Sequence, residues 1–491
     1  MHKAFVGLFS TIAVGLLAAA GSVALDVDDG PDRVTLQSLT CSGVHVQPGT
    51  DLQHAIDVNP EGTRFCFEPG RYRLSSALVP KNGQRFIGMG RVVLSGARRL
   101  SSWANEGNVW RASIAINQSG SGSVDCDPGY LCQINEDVTF DDRFLVRAQS
   151  LQSITPGRYF IDYANDLVYV GTDPVGHEVE VAVATQAFNS RASNVVVRRL
   201  VIEKFANAGQ TAAISAAGTG WLIEKNQVRL NHGIGICAWA GASTIRSNHV
   251  HHNGEMGLCG QQKNLVVARN EIAFNGPQEV GFNIFWEGGG TKFVNTNNLV
   301  VRGNYSHDNR GSGLWTDYNN VNVLYENNRV VNNTDAGILH EIGCAATIRN
   351  NYASDNGFDR PSNDSYWGGG IVVWQSPDVE IYGNTVENNK HGIMAIMTPR
   401  GSGACGTFEI RNLYVHDNTI RQPEGRAAGL ALYNMTDSSF FTSKNNRFRD
   451  NDYFLGDVAD GQHFVWSGGY ATAKQWKTTY GHDVGGSFDH I

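Results

Sequence analysis

After residue 24 the sequence lacks any long hydrophobic run, which excludes a membrane-spanning helix there, because such a helix needs about 20 apolar residues. The exception is the apolar stretch at residues 5–20, which follows a short basic start and precedes the small residues Ser22 and Ala24. This order is typical of a secretory signal peptide. We therefore expect residues 1–24 to be removed and the remaining chain to be secreted or periplasmic, without membrane contact. An uncleaved N-terminal anchor is the alternative.

Charged residues are also few, at 18% of the chain, and their balance is mildly acidic, with a formal net charge of −8. This balance argues against a nucleic-acid partner. The chain is instead rich in asparagine and in glycine, of which it has 56.

The sequence has no CxxC motif and no paired Cys/His spacing, so we expect no metal site. Eight cysteines in an exported chain indicate disulfides instead. Eight cysteines allow about 105 connectivities, and position alone does not decide among them. Proximity, matching places in neighbouring repeats and shared glycine-rich loops favour four pairs: Cys126 with Cys132, Cys41 with Cys66, Cys237 with Cys259, and Cys344 with Cys405.

From about residue 190 one pattern recurs, in which an apolar pair precedes an asparagine and a Gly-apolar-x-apolar strand follows. Nine asparagines, 22 to 34 residues apart, mark the repeats: Asn226, Asn248, Asn270, Asn304, Asn328, Asn351, Asn384, Asn418 and Asn446. This spacing indicates a solenoid of β-rungs, some with inserted loops. Asparagine suits the turns because it tolerates left-handed backbone, and stacked asparagines form ladders. No leucine-rich, ankyrin or propeller signature is present; a β-sandwich with Asn-rich turns is the alternative.

The predicted fold is therefore all-β, a single-domain right-handed parallel β-helix with an N-terminal helical cap and a β-rich insertion. The spacing of Leu52, Ala55 and Ile56 predicts the helix of the cap. The expected segments are a cap with the first rungs at 25–99, the insertion at 100–190, the repeats at 191–451 and a C-terminal cap at 452–491.

Three stretches resemble known proteins. Residues 51–74 resemble the first helix and strand of pectate-lyase-like β-helix proteins. Residues 145–183, which contain PGRYFID from Pro156 and Asp173-Pro174, resemble an insertion of exported β-helix proteins related to glycoside hydrolases. Residues 196–450 resemble the generic parallel β-helix repeat. The resemblance implies a fold shared by glycosidases, polysaccharide lyases, epimerases and phage tailspikes, and it does not assign an activity.

Aligning the rungs on the glycine that opens each strand predicts one outward-facing column of side chains. The column is Glu287, Asp317, Glu341, Trp374, Ile396 and Tyr433, with Asn283 in the glycine position for the first rung. Because rungs lie about 4.8 Å apart, Asp317 and Glu341 are expected at roughly 5 Å, and Glu287 and Glu341 at roughly 9.6 Å. Solvated surface charge is the alternative to an active site.

These residues favour a glycoside hydrolase acting on an extended polysaccharide, as a monomer and without a cofactor. Asp317 and Glu341 are the predicted catalytic pair, in either order, with Glu287 as a third candidate. The expected substrate-binding residues are Trp374, Trp315, Trp286, His340 and Lys292. A polysaccharide lyase or uronate epimerase is the second hypothesis, with His340 or Lys292 as base and Ca²⁺ bound by the carboxylates. A non-catalytic carbohydrate-binding surface protein is the third.

Overall fold

A computed structural model of the chain describes residues 41–120, 122–360 and 366–491. The predicted signal peptide lies outside the described residues. Within these ranges, no helix has the length and apolar character needed to cross a membrane.

The elements are short strands that follow one another with few helices. The N-terminal part has β1 Val44–Val46, α1 Leu52–Val58, β2 Arg64–Phe67, β3 Gly70–Arg73, β4 Arg85–Gly88 and β5 Val92–Ser95. The next part has β6 Ala97–Arg99, β7 Ala104–Asn105, β8 Trp110–Ser113, β9 Val138–Phe140, β10 Arg143–Phe144, β11 Val146–Arg147, a 3₁₀ turn Leu151–Ser153, β12 Arg158–Asp162, β13 Leu167–Val170 and β14 Val179–Ala182.

The stacked rungs then run to the C-terminal part. They comprise β15 Phe188–Ser190, β16 Val196–Arg198, β17 Val201–Glu203, β18 Ala212–Ala216, β19 Leu222–Glu224, β20 Gln227–Arg229, β21 Ile234–Ala238, β22 Thr244–Arg246, β23 His249–His251, β24 Met256–Lys263, β25 Val266–Ala268, β26 Glu271–Ala273, β27 Gly289–Arg302, β28 Tyr305–His307, β29 Leu314–Thr316, β30 Val321–Glu326, β31 Arg329–Val331, β32 Ile338–Glu341, β33 Ala346–Arg349, β34 Tyr352–Ser354, β35 Gly369–Trp374, β36 Val379–Tyr382, β37 Thr385–Glu387, β38 His391–Met397, β39 Ser402–Gly403, β40 Gly406–Thr407, β41 Tyr414–His416, β42 Thr419–Gln422, β43 Arg426–Leu432, α2 Ser439–Thr442, β44 Arg447–Arg449 and β45 Asp452–Leu455. The chain ends with β46 Phe464–Trp466, β47 Gly469–Ala471, α3 Ala473–Thr478 and β48 Phe488–His490.

Each rung contributes one strand to each of three faces, and strands of successive rungs pair in parallel. In one rung these strands are β32 on the first face, β33 on the second and β34 on the third. The third face is a 13-stranded sheet, whereas the first two merge into one 24-stranded sheet because β27 runs through both. Alternate residues point inward, such as the fully buried Ile338, Ile348 and Ala353. The predicted parallel β-helix is confirmed.

Two ladders of buried asparagines run along the solenoid at its turns. In the first, each Asn side chain donates to the Oδ1 of its counterpart one rung on, at 2.8–3.0 Å from Asn226 to Asn451. The second lies five residues further along each rung, from Asn231 to Asn389. Ladder asparagines also donate to backbone carbonyls at the turns, so these buried polar groups have hydrogen-bond partners. This explains why the repeat is rich in asparagine.

The last predicted member of the first ladder is wrong. Asn418 donates to Asn451 at 2.8 Å, whereas the side chain of Asn446 bonds the backbone of Leu413 and Ile410. β45 pairs with β42, so the solenoid continues past the predicted boundary at residue 451.

Replacing Asn328 by Ala should lower the free energy of unfolding by about 2–5 kcal/mol, because it leaves several buried groups without partners. Its side chain donates to Val301 O and Asn351 Oδ1, and its Oδ1 accepts from Asn304. Chemical denaturation measures the change. Asn189→Ala, at an exposed rung position, is the control, and equal stability loss in both variants would contradict the ladder's role.

The predicted helix near Leu52 is present as α1, with Leu52 and Ile56 buried against the first rungs. Its role as a cap on the solenoid end remains a prediction. Strands β6 to β14 form two small sheets with their own apolar core, in the region predicted as a β-rich insertion.

A buried ionic cluster joins this β6–β14 region to the solenoid. Lys204, with 1% of its side chain exposed, pairs with Asp142 and Glu180 of the region. Arg73 pairs with Glu180 at 2.6 Å, and Arg229 contacts Asp142 at 2.7 Å. Opposite charges therefore join the two parts around the buried Lys204–Glu180 pair, with Asp142 and Arg73 at the partly exposed edge.

All four predicted cysteine pairs are disulfides in the structure: Cys41–Cys66, Cys126–Cys132, Cys237–Cys259 and Cys344–Cys405. Four disulfides indicate an oxidising, extracytoplasmic compartment.

Candidate active site

The first face carries the predicted column of outward side chains. Thr316 pairs with His340, so Asp317 and Glu341 follow side by side on neighbouring rungs. Glu341 pairs with Trp374, and Trp374 with Ile396. The register thus sets these four residues in the predicted order.

Both ends of the predicted column are wrong, because the glycine alignment misplaced the register there. Phe293 pairs with Thr316, so Val294 lies beside Asp317, and Glu287 belongs to the turn that precedes β27. At the other end Ala431 pairs with Ile396, and Tyr433 lies two residues further along the strand direction.

Lys292 nevertheless brings Glu287 into the site. Its ammonium Nζ lies 2.7 Å from Glu287 Oε1 and 2.9 Å from Asp317 Oδ2, and 4.1 Å from the centre of the Trp315 ring. Asp317 also accepts the backbone N–H of Tyr318 at 2.7 Å. Lys292 is buried, yet the carboxylates of Asp317 and Glu287 outweigh that burial and raise the pKa of its ammonium. It stays charged and holds the two acids together.

Glu341 is more deeply buried than Asp317, with 4% of its side chain exposed against 17%. Its Oε2 accepts the indole N–H of Trp315 at 3.1 Å, and its Oε1 pairs with the guanidinium of Arg400. Burial and the charge of Asp317 raise the pKa of Glu341 to about 7, against the opposing effect of Arg400. Burial likewise raises the pKa of Glu287, although Lys292 opposes it.

The predicted aromatic residues have different surroundings. Trp374 is half-buried, meets Trp367 edge to face at 3.8 Å, and lies under the Arg400 guanidinium at 4.6 Å. Trp286 is half-buried in the same turn as Glu287. Trp315 is 8% exposed, with its ring against Lys292 and its N–H on Glu341, so it supports the charged groups and offers no open platform.

The prediction that His340 contacts substrate is wrong. Its side chain points into the solenoid and is fully buried, because strand alternation turns it away from its neighbour Glu341. Nδ1 lies 2.8 Å from Thr316 Oγ1 and Nε2 lies 2.8 Å from Cys344 O. His340 is a core residue.

Arg400 was not predicted. It lies in a loop at residues 398–409 that the Cys344–Cys405 disulfide ties to the turn after Glu341. A second contact holds the same loop: the backbone N–H of Ala404 donates to Oδ1 of Asn319, which follows Asp317 by two residues, at 2.9 Å. The signal available in the sequence was the cysteine pair, which places this loop, and its arginine, beside the two carboxylate-bearing strand ends.

Gln210 and Glu255 were also missed. The Gln210 side chain lies beside Glu287 and favours its ionised form, and the Gln210 backbone N–H donates to Glu255. No pattern in the sequence links these positions. Within the described ranges, no group of three or more His, Cys, Asp and Glu side chains is arranged to hold a metal ion.

Residues 212–359 and 341–472 match the family model described as "Right handed beta helix region". A search of curated proteins found no match. Among solved structures, XylC in complex with xylose is 15% identical, with a TM-score of 0.63 over 84% of this chain and 83% of XylC. The A-module of the mannuronan C-5 epimerase AlgE4 of Azotobacter vinelandii is 15% identical, with a TM-score of 0.48 over 85% of this chain and 94% of that module.

At 15% identity the likeness to XylC shows the fold alone. The family model, in contrast, spans more than half of the sequence. The chain belongs to the family of right-handed β-helix proteins.

Proposed function

We propose that the protein is a carbohydrate-active enzyme, and specifically a glycoside hydrolase that acts on a polysaccharide. The observation that carries the proposal is the pair Asp317 and Glu341, two neighbouring carboxyl groups in unlike surroundings. Such a pair supplies one acid and one ionised group at the same pH. The likeness in fold to a protein solved with xylose agrees with a sugar ligand.

Glu341 is the general acid. With a pKa of about 7 it carries a proton at neutral and mildly acidic pH, and it can protonate the oxygen of the leaving sugar as the glycosidic bond breaks. Trp315 and Arg400 fix its orientation.

Asp317 is the nucleophile. It is held by Lys292 and by a backbone N–H, both of which favour the carboxylate. Neighbouring rungs are about 4.8 Å apart, which matches the roughly 5–5.5 Å between the carboxyl groups of retaining glycosidases. Asp317 forms a bond to the anomeric carbon while the leaving oxygen takes the Glu341 proton. Glu341 then removes a proton from water, which displaces Asp317 and restores both groups.

The substrate runs along the first face, across the rungs. Trp374 and Trp367 offer partly exposed rings beside the carboxylates, and the 398–409 loop forms one wall. Aromatic rings beside polar groups suit sugars, which present both apolar and hydroxyl-bearing surfaces. A signal peptide at residues 1–24 and a secreted or periplasmic location belong to the same proposal, and the four disulfides support it.

The test is to incubate the protein with neutral and uronate-containing polysaccharides and to analyse the products by mass spectrometry. Products with one added water support hydrolysis, and NMR of the first-formed anomer should show retained configuration. Inverted configuration would remove Asp317 as nucleophile and favour Glu287, further from Glu341.

A polysaccharide lyase or uronate epimerase is the second candidate, favoured by the two cations Lys292 and Arg400, which can neutralise a uronate. His340 lies in the core and Lys292 stays charged, so neither residue predicted as the base of that hypothesis is placed to remove a proton. Unsaturated products without added water would establish a lyase. Binding with no product from any polymer would favour the carbohydrate-binding protein.

The pH dependence follows from Glu341. As a general acid it must be protonated, so kcat/KM should fall as the pH rises through about 7. Because Arg400 lowers the pKa of Glu341, Arg400→Gln should move this alkaline limb upward by about 1 pH unit. Arg349→Gln, which removes an ion pair with Glu326, is the control. A limb that stays in place in Arg400→Gln would exclude Glu341 as its origin.

A further inference from the structure

A fourth carboxyl group lies beside the site and has no part in the chemistry above. Glu255 is fully buried, immediately before β24. Its Oε2 accepts the backbone N–H of Gln210 at 2.6 Å, whereas its Oε1 has no hydrogen-bond partner among the described residues. Burial of a carboxyl group with an unpaired oxygen is costly, so its presence here points to a function.

The contacts of Gln210 connect Glu255 to the catalytic pair. The Gln210 side chain lies beside the Glu287 carboxyl group and favours its ionised form, and Glu287 Oε1 lies 2.7 Å from Lys292 Nζ. Lys292 in turn holds Asp317 Oδ2 at 2.9 Å. A series of neighbouring groups therefore runs from the buried carboxyl group to the candidate nucleophile.

Gln210 is held by Glu255 in a left-handed turn. Its φ of 61° lies in the left-handed region, which many turn residues of this solenoid adopt. In this conformation its N–H donates to Glu255 while its side chain lies beside Glu287, so Gln210 joins the two carboxyl groups.

We propose that Glu255 is a positioning residue of the active site, which acts through Gln210 and Glu287 to hold Lys292 against Asp317. The effect on turnover rests on the proposed hydrolase function. The placement of Lys292, in contrast, can be measured in the protein without substrate.

The charge state of Glu255 decides which variants are informative. Burial, with the nearby charge of Glu287, raises the pKa of Glu255 to about 8, so the group is neutral at pH 7. Glu255→Gln keeps a neutral group with a carbonyl oxygen that can accept the Gln210 N–H. Glu255→Met removes that acceptor. Gln210→Gly keeps the N–H, tolerates the positive φ, and removes only the side chain.

The first measurement is turnover on whichever polysaccharide the wild-type protein cleaves. Glu255→Met and Gln210→Gly should lower kcat by about 10–100-fold with little change in KM, because the nucleophile is displaced. Glu255→Gln should keep most of the wild-type kcat. Wild-type kcat in both Glu255→Met and Gln210→Gly would overturn the proposal, and Gln210→Gly covers the case in which Glu255→Met fails to fold.

The second measurement needs no activity. Reductive methylation with formaldehyde and borohydride, followed by peptide mass spectrometry, reports how firmly Lys292 is held. Lys292 should react faster in Glu255→Met and Gln210→Gly than in the wild type and in Glu255→Gln, while Lys204 serves as an unchanged buried reference. Faster labelling in a protein that cleaves nothing would refute the hydrolase and retain the positioning role. Unchanged labelling would refute the positioning role whatever the activity.

Discussion

Asp317→Asn and Glu341→Gln should each reduce polysaccharide hydrolysis by about 10²–10⁴-fold, because each removes one of the two groups that transfer a proton or form the glycosyl bond. Both variants keep the size of the side chain, so the rungs should stack as before. Glu341→Gln keeps an oxygen that can accept the Trp315 N–H. Initial rates with the wild-type substrate measure the loss.

The activity lost at the two positions should be restored by different additions. In a retaining enzyme a small anion such as azide can replace the missing nucleophile, so Asp317→Ala with azide should release a glycosyl azide. Glu341→Ala should instead recover on substrates whose leaving group needs no proton, such as activated aryl glycosides. As a control, Glu326→Gln removes a carboxylate from the second face and should leave the rates unchanged. Full activity in either catalytic variant would remove that residue from the mechanism.

Lys204→Met should lower the free energy of unfolding by about 3–5 kcal/mol, because it removes the buried cation that Glu180 and Asp142 share and leaves their negative charge only partly balanced by Arg73 and Arg229. Glu180 and the nearby Glu203 are fully buried, and Lys204 pairs directly with Glu180 and with Asp142. Denaturant unfolding measures the global loss. Limited proteolysis should show earlier cleavage within β6–β14, which this cluster joins to the rungs.

The double variant Lys204→Met/Glu180→Gln tests whether the loss of stability comes from unbalanced charge or from altered packing. If charge balance is the cause, removal of Glu180's charge should restore part of the lost stability. Lys474→Met, at an exposed helix position, is the control. A double variant less stable than the sum of both single changes would show that packing, and not charge, dominates at this junction.

The solenoid could be predicted because its determinants are local and repeated. Each rung supplies an asparagine and a short apolar strand, and a neighbour at the next interval is enough to set the register. This is why the adjacency of Asp317 and Glu341, 24 residues apart with no inserted loop, was correctly anticipated. The alignment failed at Glu287 and Asn446, where inserted turns contain several glycines or asparagines that fit the pattern equally well.

The rest of the site depends on loop conformation, which no periodicity encodes. Arg400 reaches Glu341 from an insertion, and Gln210 lies beside Glu287 in a left-handed turn. His340 shows the complementary error: its chemistry suggested a functional role, and strand alternation placed it in the core. A prediction from residue type alone therefore assigns too many strand side chains to the solvent-exposed site.

The stacking of one strand per rung also limits how such a site can evolve. Along the first face, the distance between two strand-borne carboxylates can change only in whole rungs, since the backbone ladder fixes the spacing. A substitution that moves an acid to the next strand changes the separation by one full step, and with it the space available for a water molecule between the two groups. The choice between keeping and inverting the configuration of a sugar would then be discrete, and a single relocation along the column could exchange one for the other.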